Sequence, residues 1–237
     1  MFNLEGKVIL VTGGNRGIGE AIVKKLEKLG AKVAYTSLAS KGNSSSLHIK
    51  ADVTNEEEMR NAIYTVEMKL GKIYGVVANA GINRDNFFSD MKFEEWSDVL
   101  DVNLNGVYNT IKPVIPSMYK SNEGSIVLIS SIVGETGNIG QVNYAASKAA
   151  LIGMSKSLAA ESARKGVRVN VVAPGFTNTH MTETIPTKVK EKIISNIPFR
   201  RFAEPEEIAW AVTFLLSPVL SSFITGQVID VNGGQNM

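Results

Sequence analysis

Short apolar runs alternate with longer amphipathic stretches along the whole chain. The runs are KVILVT at 7–12, KVAYT at 32–36, LHIKA at 47–51, IYGVVA at 73–78, SIVLIS at 125–130, VRVNVV at 167–172 and QVIDV at 227–231. Several are apolar on successive residues, as strands covered on both faces must be. Between them the spacing changes to that of helices. Ile18, Ile22, Leu26 and Leu29 fall on one face at steps of four and three. The stretch 55–70 opens with Thr54-Asn55 and then Glu56, Glu57 and Glu58, a capped acidic first turn. Further helices are expected at 93–120, 143–165 and 204–217, with Pro113 and Pro116 bending or interrupting the first of these. Strands alternating with helices predict right-handed βαβ units, a parallel sheet and one α/β domain over residues 1–237. The segment SLASKGNSSS at 37–46 is short for a parallel crossover and poor in helix formers, so a stub or a mobile loop is expected there.

Composition narrows the chemistry. The chain has 237 residues, 44% hydrophobic and 20% charged, which excludes a disordered or fibrous protein. Its net charge of +2, with no long basic run, disfavours nucleic acid as a partner. There is no cysteine, so disulfides and thiolate catalysis are excluded, and His48 and His180 alone do not make a metal cluster. No stretch has the ~18 consecutive apolar residues of a membrane span. The start does not read as a signal peptide, and a soluble cytoplasmic protein is expected.

Two constellations carry chemistry. The first is TGGNRGIG at 12–19, which follows the first strand and opens the first helix. Gly13, Gly17 and Gly19 let the backbone turn sharply and approach a pyrophosphate held on the helix N-terminus. Asn15, Arg16 and Ile18 belong to the same turn. An NAD site usually carries an acid ~20 residues on. Here the interval 28–51 has no acidic residue, and Arg16 with Ser37 is expected to take a 2′-phosphate, favouring NADP. The second is NYAASK at 143–148, in which Tyr144 and Lys148 share a helix face. A nearby ammonium is expected to lower the tyrosine pKa toward the working range. Ser130 and Ser131 close a strand at its carboxyl end, where ligands bind in such sheets.

TGGNRGIG, Asn79-Ala80-Gly81, Ser131, Tyr144-Ala145-Ala146-Ser147-Lys148 and Pro174-Gly175 together resemble the short-chain dehydrogenase/reductases over nearly the whole chain. GINRDNFF at 81–88, the stretch 130–161, VRVNVVAPGF at 167–176 and RFAEPEEIA at 201–209 resemble the 3-oxoacyl-[acyl-carrier-protein] reductases within that family. The resemblance implies a Rossmann-type doubly wound sheet of about seven strands in the order 3-2-1-4-5-6-7, with helices on both faces. It implies NADPH-dependent reduction of a 3-oxoacyl thioester, the acyl group borne by acyl carrier protein, in fatty-acid synthesis. Reduction of acetoacetyl-CoA or another small carbonyl is the alternative, and a redox-silent regulator the remote one.

Residue by residue, Tyr144 would protonate the carbonyl oxygen, Ser131 would orient it, and Lys148 would tune Tyr144 and hold the nicotinamide ribose. Asn103 would anchor a water for proton relay. Asp52 and Val53 would border the adenine, and Asn79, Ala80 and Gly81 the adenine-side ribose. Pro174, Gly175 and Thr177 would meet the nicotinamide amide or pyrophosphate. The family also implies a homotetramer built on the 93–120 and 143–165 helices and the last strand. Residues 175–201 read as either an active-site lid or a small satellite core. Lys120, Arg164 and Lys165 read as either a dock for an acidic carrier or a solvated face.

Overall fold

A computed structural model describes residues 2–39, 44–183 and 185–237. Seven parallel strands form one sheet in the order β3-β2-β1-β4-β5-β6-β7. They are β1 (Val8–Thr12), β2 (Lys32–Ser37), β3 (Leu47–Lys50), β4 (Ile73–Ala78), β5 (Gly124–Ile129), β6 (Val167–Pro174) and β7 (Val228–Val231). This is the predicted strand order and the Rossmann-type α/β fold. The order reverses between β2-β1 and β4-β5, which opens a crevice at the carboxyl ends of β1 and β4.

Alternation along each strand builds two cores. Ile9, Val11, Tyr35, Val77, Val127 and Val172 face helices α1 (Gly17–Lys28) and α10 (Pro205–Leu216). Val8, Leu10, Ala34, Val76, Ile126 and Val171 face the other layer. That layer holds α2 (Glu56–Leu70), α4 (Gly106–Ile111), α5 (Ile115–Ser121) and α7 (Val142–Ser162). Asn55 caps α2 as its sequence predicts, accepting from the Glu57 and Glu58 amides at 3.0 and 3.1 Å.

Three segments show how the chain is laid out around the crevice. The helical stretch expected at 93–120, interrupted at its prolines, is α3 (Phe93–Leu100), a π turn (Asp101–Asn105), α4 and α5. Pro113 falls in the break before α5, because its missing N–H and ring cannot continue α4, and Pro116 sits in the first turn of α5. The 175–201 connection carries α8 (His180–Glu183) and α9 (Thr187–Ser195), neither with a fully buried residue. Its fully buried residues, among those described, are Thr177 and Ile197, and Phe176 stacks on Phe202 at 5.5 Å. A further short helix, α6 (Val133–Thr136), follows β5. Finally, Lys120, Arg164 and Lys165 are exposed at the amino end of β6. The eight residues of β6, about 26 Å of strand, separate that end from Pro174, so the cluster lies away from the crevice.

Between β2 and β3 the described residues are Leu38, Ala39 and Ser44–Ser46. The expected stub or mobile loop therefore lies partly outside the described residues. The returning end is tied to α1: the Ser44, Ser45 and Ser46 hydroxyls donate to Glu27 Oε1 at 2.7, 3.2 and 2.5 Å. These donors hold the Glu27 carboxyl below its ordinary range against the opposing effect of burial. Among the described residues, no helix is long and apolar enough to cross a membrane.

Candidate active site

The glycine turn is shaped for close approach. Gly13 and Gly17 adopt φ of +66° and +56°, a region L-residues rarely occupy. A Cβ on Gly19 would lie 2.1 Å from the Gly13 carbonyl oxygen. The turn is latched to the crevice by Asn79, whose Nδ2 donates to the Thr12 and Gly13 carbonyls at 2.9 and 3.2 Å. Thr12 returns the contact: its hydroxyl accepts from the Asn79 and Ala80 amides at 3.0 and 3.1 Å. Sequence reasoning did not single out Thr12, although its place at the strand end before the glycines was a signal. Arg16 stands at the N-cap of α1 in extended conformation, and no side chain caps the helix. The first-turn amides of α1 are thus presented to an anion. Thr179, from the segment before α8, closes over Gly17, whose added Cβ would meet it at 3.5 Å.

At the adenine end, Gly13 and Gly14 donate to the Thr36 carbonyl at 2.8 and 3.2 Å, which sets the turn beside the end of β2. The next residue departs from expectation. Ser37 donates to the Ala39 carbonyl at 3.1 Å and pairs with His48 Nε2 at 2.9 Å, so its hydroxyl is already committed. Arg16 is exposed and makes no ion pair with the described residues. Asp52 folds onto its own turn, accepting from the Thr54 amide and hydroxyl at 2.9 and 2.8 Å. Val53 is buried against Gly106, and its carbonyl accepts from Asn109.

The catalytic candidates converge across the crevice. The end of β5 grips Lys148 twice. Ser130 donates to the Lys148 carbonyl, and the Lys148 ammonium donates to the Ile129 carbonyl, both at 2.8 Å. The Lys148 Nζ lies 5.6 Å from the Tyr144 ring centroid, and the Ser131 hydroxyl is near enough to the Tyr144 phenol to favour its ionised form. Asn143, fully buried, sets the pitch of this helix by donating to the Arg84 and Glu95 carbonyls at 2.9 Å each. Its own oxygen accepts from the Tyr144 amide. The Asn143 signal was its position next to Tyr144.

The electrostatics invert the sequence expectation for Tyr144. Burial pushes its pKa up to about 12, against which the Ser131 hydroxyl pulls down, while the Asp85 carboxylate pushes up. Burial pushes Lys148 down to about 8. The ammonium aims at the Ile129 carbonyl, not at the phenol, so desolvation outweighs the anticipated charge–phenol attraction. Asn103, in the π turn, is also more structural than expected. Its amide donates to the Ile82 carbonyl and Ser147, and accepts from the Ile82 amide at 2.8 Å. A Cβ on Gly81 would nonetheless lie 3.2 Å from Asn103 Oδ1 and 3.5 Å from Lys148 Nζ. Gly81 therefore keeps the space between those two groups open. Pro174 and Gly175 end β6, where their backbone joins Ile132 and Val231. Thr177 is buried, with its hydroxyl on the Gly175 carbonyl.

A helix N-terminus behind a glycine turn, and a half-buried tyrosine beside a buried lysine and serine facing it across the switch point, define a dinucleotide-dependent oxidoreductase. Comparison with known proteins narrows the class. A family model described as enoyl-(acyl carrier protein) reductase matches residues 13–236. The acetoacetyl-CoA reductase of Synechocystis sp. is 59% identical over 98% of both chains. The 3-oxoacyl-[acyl-carrier-protein] reductases FabG of Thermotoga maritima and Escherichia coli are 46% and 42% identical, over 98% and 99% of both chains. This chain belongs to the short-chain dehydrogenase/reductases, and it is a reductase that takes a nicotinamide dinucleotide.

Proposed function

We propose that the protein reduces the keto group of a short 3-oxoacyl thioester to the 3-hydroxyacyl thioester, using NADPH. The observation that carries the reading is the grouping of Ser131, Tyr144 and the buried Lys148, whose Nζ lies 5.6 Å from the Tyr144 ring, at the carboxyl end of β5. The nicotinamide, when bound, supplies the hydride. Tyr144, protonated throughout the neutral range, donates its hydroxyl proton to the keto oxygen. Ser131 holds that oxygen by a second hydrogen bond. Lys148, cationic below about pH 8, returns a proton to Tyr144, which Lys148 regains from solvent through a water held at Asn103. Arg16, near an interval without acids, supports the preference for the 2′-phosphate of NADPH.

The identity to a protein named acetoacetyl-CoA reductase favours a coenzyme A thioester. The several relatives named for acyl carrier protein support the second reading, a 3-oxoacyl-[acyl-carrier-protein] substrate in fatty-acid synthesis. A homotetramer is part of the proposal. Phe93 on α3 and Phe223 before β7 are exposed apolar side chains on the elements that would pair. The test is NADPH oxidation with acetoacetyl-CoA, acetoacetyl-acyl carrier protein and a cyclic ketone side by side. A cyclic ketone turned over faster than both thioesters would overturn the proposal.

A further inference from the structure

The short β2–β3 connection has a consequence at the adenine end of the crevice. Tyr35 on β2 faces the α1 core and its ring lies 5.0 Å from that of His48 on β3. Strand alternation puts Ser37, His48 and Lys50 on that same face. Leu47 and Ile49 turn the other way and pack on the opposite core. The register pairs Ser37 directly with Lys50, at the carboxyl end of the edge strand. Among the described residues no helix covers β3 on this face, and Lys50 is exposed without an ion pair.

The glycine turn approaches Ser37 from the other side, through the Thr36 carbonyl. Adjacent strands lie about 4.8 Å apart, so Arg16 and Lys50 flank the end of β2 on opposite sides, each within side-chain reach of a group above Ser37. The nearby acids are already engaged. Glu20 pairs with Lys24 at 2.7 Å, and Asp52 is held by Thr54. Leu38, at the place where an acid would select NAD, is an exposed apolar side chain.

We propose that Lys50, from the edge strand, is a second cation for the ribose 2′-phosphate of the cofactor, opposite Arg16. The inference rests on the NADPH reading above. Ser37 is spoken for by His48, so the phosphate gains its second charged partner from the strand beyond.

The test is calorimetric binding of NADP⁺ and NAD⁺ to the full chain, with no substrate present. Lys50→Ala should weaken NADP⁺ about tenfold, the size of one charge-assisted contact, and move NAD⁺ by less than about twofold. Lys50→Arg should restore NADP⁺ binding. Equal losses for both nucleotides, or an unchanged NADP⁺ affinity in a wild type that prefers NADP⁺, would overturn the role of Lys50. A wild type indifferent between the nucleotides would overturn the NADPH reading itself, and Lys50 with it.

Discussion

The raised Tyr144 and lowered Lys148 make opposite demands on the two directions of the reaction, and a pH profile separates them. With its pKa at about 12, Tyr144 is ionised in roughly one molecule in 10⁵ at pH 7. Carbonyl reduction needs the protonated phenol, which is therefore saturated across the neutral range. The reverse oxidation needs the phenolate to accept the alcohol proton, and should climb about tenfold per pH unit. Lys148 limits reduction instead. Its ammonium is present below about pH 8 and lost above it. Reduction measured by nicotinamide absorbance, under saturating cofactor, should be level on the acid side of that value and fall by about tenfold per unit well above it. Lys148→Arg keeps its charge at all these pH values, so whatever rate it retains should lose the alkaline fall. Tyr144→Phe should drop reduction by about 10²–10⁴-fold without loss of nucleotide binding. The reasoning is refuted by wild-type reduction that stays level to about pH 9.5, or by an Lys148→Arg variant that keeps the wild-type fall.

Other outcomes follow from particular contacts. Arg16→Ala should lose NADPH affinity and leave NADH use nearly unchanged in fluorescence titrations if, as proposed, its charge serves the 2′-phosphate alone. Arg168 is buried without a carboxylate and binds the Leu215, Leu216 and Ser217 carbonyls and the Ser221 hydroxyl, which closes the end of α10. Arg168→Met should cost about 1–3 kcal/mol in denaturant melts, since it removes the guanidinium's bonds while Ser125, Tyr74 and Ser221 still donate to the three carbonyls. A loss below about 1 kcal/mol would show that water replaces the guanidinium. Light scattering at micromolar concentration should find a tetramer, and a stable monomer would contradict the pairing of α3, α7 and β7.

The sheet was legible because its strands are covered on both faces and so read as unbroken β-branched runs. The glycine turn was legible because its backbone needs residues without a Cβ. Within 93–120 the π turn was illegible because it changes hydrogen-bond partners without changing residue types, so Asp101–Asn105 looks like any helical stretch. The segments α8 and α9 pack too little apolar surface to print a period in the sequence. The partners of Ser37 and the pKa of Tyr144 were illegible for a related reason. A hydroxyl promises a hydrogen bond, but only the fold decides whether His48 or a phosphate receives it. The shift of a phenol likewise depends on how much water the surrounding helices remove.

The π turn also sets the phase of everything after it. At its end, the Gly106 amide reaches back to the Asp101 carbonyl, one residue more than an α-helical bond spans. One extra residue rotates the rest of the helix by about 100°. Before the turn, the Glu95 carbonyl meets Asn143; after it, Gly106 backs onto Val53 and Asn109 reaches the Val53 carbonyl. Two neighbours on different sides of the helix are thus served by one element whose screw slips midway. Deleting a single residue between 101 and 105 would do more than shorten the helix. It would re-phase it, and turn Gly106 and Asn109 away from the strand-end loop they hold, while α3 stayed in place against α7.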